Sequence, residues 1–219
     1  VEGHSSLIVN QFVTGADGKE YYVGSDGAKV FNELITYDSN KYYIGENGQK
    51  VISSLILADG QHYYFEADGK MAVSKFVTFD GALYYVDAEG KVVTNQFATV
   101  GEDTFYFGAD GKKAVSSLVT DETGTYYVGT DGKKLTSQIV RVDSDDYYVD
   151  ETGKVVTSRF TEVGDDVFYF GADGKKALNQ FVTDETGTYY VGADGKKLTD
   201  QFVIVGTDTY YVDAEGKRV

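Results

Sequence analysis

The chain has 219 residues, 35 of them Asp or Glu against 20 Lys or Arg, for a formal charge of −15, and it contains no Cys, Trp or Pro. Without Cys there is no disulfide framework, CxxC redox site or thiolate zinc site. A chain this acidic has no basic stripe for phosphates, and no apolar run reaches the roughly 18–20 residues that span a bilayer. Neither a nucleic-acid partner nor membrane insertion is expected.

In chain order, aromatic doublets begin at Tyr21, Tyr42, Tyr63, Tyr84, Phe105, Tyr126, Tyr147, Phe168, Tyr189 and Tyr210, each 21 residues after the last. A period of this length marks a solenoid or array. Six residues after each doublet start stands a Gly, usually preceded by Asp, as in Asp68-Gly69 and Asp110-Gly111. Asp-Gly between apolar runs predicts a type I′ hairpin turn there. A second, looser turn is expected just before each doublet, as at Asp59-Gly60, Asp80-Gly81 and Thr123-Gly124. The runs between are rich in Val, Thr, Tyr and Phe, which favour strands. Each unit therefore reads as a β-hairpin of two short strands plus a connection. Because a lone hairpin is marginal in water, stability must come from stacking.

Strand alternation sorts the two faces. The first doublet position is Tyr or Phe and the residue after the doublet is Val, Ile or Phe, so that side is core. The second position is Tyr in every unit: Tyr22, Tyr43, Tyr64, Tyr85, Tyr106, Tyr127, Tyr148, Tyr169, Tyr190 and Tyr211. Such a row either packs on the adjacent hairpin with its hydroxyls wet or presents rings to a ligand. Residues 105–156 and 168–219 match at 38 of 52 positions. That 63-residue offset fits either three hairpins per superhelical turn or duplication of a three-unit block.

Units such as 201–217 resemble the cell-wall-binding repeat superfamily of Gram-positive surface and secreted proteins, over about residues 7–219. The superfamily includes choline-binding repeats, glucan-binding repeats and the combined repetitive oligopeptides of clostridial toxins. The resemblance implies an all-β fold, a β-solenoid of stacked 21-residue hairpins with about three per superhelical turn. It also implies a non-catalytic module at a secreted or cell-surface location whose partner is a carbohydrate or cell-wall polymer. Choline-binding members carry Trp at two positions per repeat and build a cation–π cage from them. The first corresponds here to an anchor position held by Leu34, Leu55, Phe76, Phe97, Leu118, Ile139, Phe160, Phe181 and Phe202, and the second to positions such as His62, Thr125 and Asp146. None is Trp, so choline is not the expected ligand.

A pyranose offers a flat C–H face to an aromatic ring and a rim of hydroxyls to polar groups. The expected glycan contacts are therefore the ten-Tyr row with the polar pairs beside the anchor: Asn95-Gln96, Ser137-Gln138, Asn179-Gln180 and Asp200-Gln201. The competing reading makes those pairs simple connections and the whole chain a spacer. No catalytic residue, metal or cofactor is expected. His4 and His62 lie far apart, acid pairs such as Asp145-Asp146 and Asp165-Asp166 are commonplace at this acid content, and Asp143–Asp146 reads as a solvated turn. The Lys row that follows the Gly (Lys70, Lys91, Lys112, Lys133, Lys154, Lys175, Lys196 and Lys217) is expected to make weak cross-strand pairs. Residues 1–219 are read as one repeat domain of ten units, with 1–11 as an entry segment. The chain stops mid-repeat at Val219, as expected of an excerpt from a longer protein with other domains.

Overall fold

In the computed structural model, which describes residues 6–219, the chain forms twenty strands paired into ten two-stranded antiparallel sheets. No helix occurs among the described residues. The chain divides into two compact units. One runs up to Ala98 and includes Phe107–Lys113; the other comprises Thr99–Tyr106 and Ala114–Val219. Each is a β-solenoid of stacked hairpins.

In the first unit, Lys75–Phe79 pairs with Ala82–Val86, with Phe76 opposite Tyr85 and Val77 opposite Tyr84. Residues directly opposite share a face, so Val77, Tyr84 and Val86 line one side, Phe76 and Tyr85 the other. The first side is the expected core: Val77 and Tyr84 are buried, and Val86 has no exposure at all. The residue after the doublet is fully buried in nine hairpins, from Ile44 to Val212.

The turns are placed the other way round from the sequence expectation. The hairpins close before the doublet, through two-residue turns. Asp59-Gly60 and Asp80-Gly81 have positive φ at both central residues, as type I′ requires. Gly101, Gly164 and Gly206 have it at the first only, as in type II′. The Asp-Gly after the doublet makes a three-residue loop instead. Gly69 alone is left-handed (φ 83°); its N–H donates to the Glu66 carbonyl (2.9 Å), and Glu66 N–H donates to the Lys70 carbonyl (2.8 Å). This is a type I turn with a glycine bulge. The Asp68 carboxylate accepts the Lys70 N–H at 2.9 Å and fixes the loop from within. In the first hairpin the extra residue before Tyr21 is absorbed by a longer loop of the same kind, with Gly18 left-handed.

After that loop the chain staples two hairpins together. Val92 N–H donates to His62 O of the preceding hairpin (2.8 Å), and Val93 N–H to Tyr85 O of its own (2.9 Å). The pattern recurs in the second unit with Lys197 to Val167 O and Leu198 to Tyr190 O. Each return segment thus satisfies strand carbonyls that two-stranded sheets would leave open. The side chains agree. Leu55 and Tyr64 of one hairpin pack on Val77, Tyr84 and Val86 of the next. In the second unit Leu118 and Tyr127 meet Val140, Tyr147 and Val149. The polar-looking face of each hairpin is thereby covered by the core face of its successor.

Candidate functional site

The Tyr row lies in these junctions. Tyr22 and Tyr190 are buried; the other eight are half-buried. Where the anchor is Phe, the two rings of a hairpin meet edge to face: Phe76–Tyr85 at 5.3 Å, Phe160–Tyr169 at 5.0 Å, Phe181–Tyr190 at 5.1 Å. The row also reaches the successor, as Tyr85 on Phe107 (6.2 Å) and Tyr148 on Phe170 (6.0 Å). Burial raises the Tyr22 phenol, with smaller contributions from Tyr37 and Glu33. The hydrogen bond that Tyr211 donates to Asp200 (2.5 Å) raises its phenol.

Gln96, Gln138, Gln180 and Gln201 are all exposed, each as the first residue of a strand. Gln138 lies opposite Val149, Gln180 opposite Val191 and Gln201 opposite Val212, so each of these sits on the face away from the Tyr of its own hairpin. The structure does not bring the two sets together within a hairpin. The first members of the polar pairs are connection residues. Asn95, Ser137, Asn179 and Asp200 have φ of 48–52° and donate their N–H to carbonyls of Gly108, Asp150, Gly192 and Asp213. All ten hairpins carry Asn, Ser or Asp at this left-handed position, the residues whose short polar side chains tolerate it.

Clefts open between successive hairpins. One of about 270 Å³ is lined by Leu118, Thr125, Tyr147, Lys154, Val155, Thr157, Ala172 and Asp173. It combines a ring, an apolar floor, two hydroxyls, an ammonium and a carboxylate. Tyr169 and Phe160 line another, with Arg159, Asp184 and Glu185, and Tyr22 borders a third with Asp26 and Glu33.

Several acids are engaged in ion pairs. Three members of the Lys row pair with the preceding hairpin, Lys133–Asp103 at 2.9 Å, Lys175–Asp145 at 2.7 Å and Lys196–Asp166 at 2.9 Å, whereas Lys70 and Lys112 face Asp68 and Asp110 of their own loops at 3.9 and 3.7 Å. Asp146 accepts from Arg141 (2.7 Å) and Lys176 (2.8 Å). The Arg141 hydrogen bond, reinforced by Lys176 against partial burial, lowers its carboxyl to about 2. That is opposite to the raised pKa a general acid needs. His62 is exposed opposite Leu57; His4 lies outside the described residues. No cluster of potential metal ligands occurs among the described residues, and no described helix is long and apolar enough to cross a membrane.

A second row of cations escaped the sequence reading. Lys29 stands 3.4 Å from the Tyr21 ring centroid and Lys50 4.7 Å from Phe12. Lys197 lies 5.2 Å from Tyr189, and Arg218 4.4 Å from Tyr210.

Residues 52–97 match the family model of the choline-binding repeat, and residues 32–50 that of a putative cell wall binding repeat. Over residues 32–50 and 52–97 the chain is similar to repeats of this kind. Among solved structures, the choline-binding domain of CbpL from Streptococcus pneumoniae is similar at 28% identity and TM-score 0.70, over 85% of this chain and 96% of that one. Choline binding protein F from the same organism shares the fold at 22% identity and TM-score 0.64, over 92% and 75% of the two chains. The modular autolysin LytC from S. pneumoniae, solved with a synthetic peptidoglycan ligand, does so at 19% and 0.62. Its alignment covers 91% of this chain and 51% of LytC, so the chain spans about half of that enzyme's length. No curated protein sequence matches the chain.

Proposed function

We propose that this chain is a non-catalytic binding module for a cell-wall polysaccharide or related glycan, acting outside the cell on a secreted or surface protein. The observation that carries this reading is the repeated cleft between hairpins, best seen around Tyr147. There the edge of the Tyr147 ring, itself largely buried, borders the cleft with Thr125, Thr157, Lys154 and Asp173 beside the apolar Leu118, Val155 and Ala172. Apolar side chains, hydroxyls and charges lining one cleft suit the C–H face and hydroxyl rim of a pyranose. The match to cell wall binding repeats and the likeness to a choline-binding domain support the same class of partner. Single clefts of this size bind weakly, and repetition along one polymer raises the overall affinity through effective concentration.

The Tyr row supplies the observation behind the second reading, a spacer without a ligand of its own, because its rings are committed to neighbouring hairpins. Affinity electrophoresis of the chain through α-glucans and pull-down on purified peptidoglycan separate the two. Retardation by one polymer, lost in Asp173→Ala with the fold intact, supports the module. Absence of retardation on every polymer leaves the spacer.

A further inference from the structure

The grooves between hairpins are of two kinds, distinguished by a residue 37 positions after the anchor. Phe160 and Phe181 are followed at that distance by Lys197 and Arg218, and Phe76 and Phe97 by Lys113 and Lys134. In the first hairpin, with its extra residue, Phe12 is followed by Lys50 after 38. Leu34, Leu55 and Leu118 are followed instead by Met71, Val92 and Val155. A solvated charge row would not follow the identity of a residue in the preceding repeat.

Three of these grooves show what the coupling does. Phe160 and Tyr189 of the next hairpin stand 5.1 Å apart at 75°, and the Lys197 ammonium lies 5.6 and 5.2 Å from their centroids. Phe181 and Tyr210 stand 5.1 Å apart at 85° around Arg218, at 5.1 and 4.4 Å. Phe12 and Tyr42, 5.5 Å apart at 77°, hold Lys50 at 4.7 and 5.6 Å. Two near-perpendicular rings that present both π-systems to one cation form the kind of seat in which proteins hold organic cations. Backbone acceptance from Lys197 by Glu215 O (3.0 Å) and the Glu20 carboxylate on Lys50 (2.6 Å) fix the heads in place. The exception follows the same logic. Ile139 supplies no ring, and its Lys176 is held over Phe168 alone (5.3 Å) by Asp146 (2.8 Å).

We propose that Lys50, Lys197 and Arg218 are internal ligands. Each occupies a two-ring cation seat between successive hairpins and so closes that groove to organic cations from solution. Groove selectivity is thus set within the chain, and ligands are left to clefts such as that at Tyr147, where Val155 replaces the cation. The inference rests on the ring and ammonium geometry and stands apart from the glycan-binding reading.

Tetramethylammonium chloride is the probe, titrated into the full chain and followed by Tyr and Phe ring resonances. Wild-type protein should give no saturable shift. Lys197→Ala should gain saturable binding, at least about tenfold tighter than any wild-type response, as expected for a cation exposed to two rings. Lys196→Ala removes the same charge next door, where Lys196 pairs with Asp166, and should gain nothing. Should Lys197→Ala lose its fold, Arg218→Ala asks the same question at Phe181 and Tyr210. Wild-type binding equal to that of the variant, or a folded variant no better than Lys196→Ala, overturns the proposal.

Discussion

At Gly174 the backbone takes φ +80°, and a Cβ there would stand 2.7 Å from Val155 Cγ1 and 3.2 Å from the Tyr147 ring of the preceding hairpin. Two effects therefore coincide, a left-handed conformation and an approach too close for any side chain. Gly174→Ala should lose roughly 1–3 kcal/mol in urea unfolding. Gly164, left-handed but with open space around it, should lose less on the same change. Asp146 gives the residue-scale pH dependence. Its carboxyl titrates at about 2 in the folded chain against an ordinary 3.8. A lowered folded pKa contributes stability that is fully present above about pH 4 and lost as pH falls through 2. Arg141 is exposed, so solvent screens the interaction and its contribution is small. Wild-type urea midpoints should fall between pH 4 and 2 by more than those of Asp146→Asn; parallel pH curves would show the ion pair contributes nothing.

The hairpin is the element at which the Tyr row is best judged. Tyr148 lies opposite Ile139 in its own hairpin and 6.0 Å from Phe170 in the next, within a cluster that includes Val156 and Phe168. Its ring is shared between two elements. Tyr148→Phe should change stability by less than about 0.5 kcal/mol, whereas Tyr148→Ala should cost roughly 2–4 kcal/mol by leaving a cavity at the junction. A large loss on the Phe change, measured by urea unfolding, would give the hydroxyl a role that packing does not. The two faces were legible because alternation is strict: Tyr84 and Val86 on one side, Tyr85 on the other. The turns were not, because Asp-Gly can stand at either bend, as at Asp59-Gly60 and Asp68-Gly69 of one unit. What decides between a type I′ turn and a glycine bulge is the number of residues between paired strands, and that is set by register. The Asn, Ser or Asp before each first strand was equally visible. Its regularity marks a left-handed connection, as Asn95 and Ser137 show.

Over the whole molecule the relation that mattered for the grooves spans 37 residues, longer than one repeat, so comparing units position by position hid the link between Phe160 and Lys197. Stacking brings the first strand of one hairpin to the return segment that follows the next, and only the stacked arrangement makes them neighbours. Charge acts at the same scale. The excess of −15 is spread along every repeat, while the pairs that offset it, such as Lys133–Asp103 and Lys175–Asp145, are largely exposed. Exposed pairs contribute little and are screened by salt, as is the repulsion among the remaining acids. With attraction weak and like charge in excess, repulsion outweighs it, so the urea midpoint should rise on going from ~0.02 to ~0.5 M NaCl. A falling midpoint would mean the ion pairs outweigh the net charge. The same field acts on a ligand. Retardation by a neutral glucan should be nearly independent of NaCl, because stacking and hydroxyl contacts carry it. Binding to an anionic wall polymer has to overcome repulsion, and should strengthen as salt screens it. Affinity electrophoresis at the two salt concentrations reads this directly, and an anionic polymer bound most tightly at low salt would contradict a repulsion set by net charge.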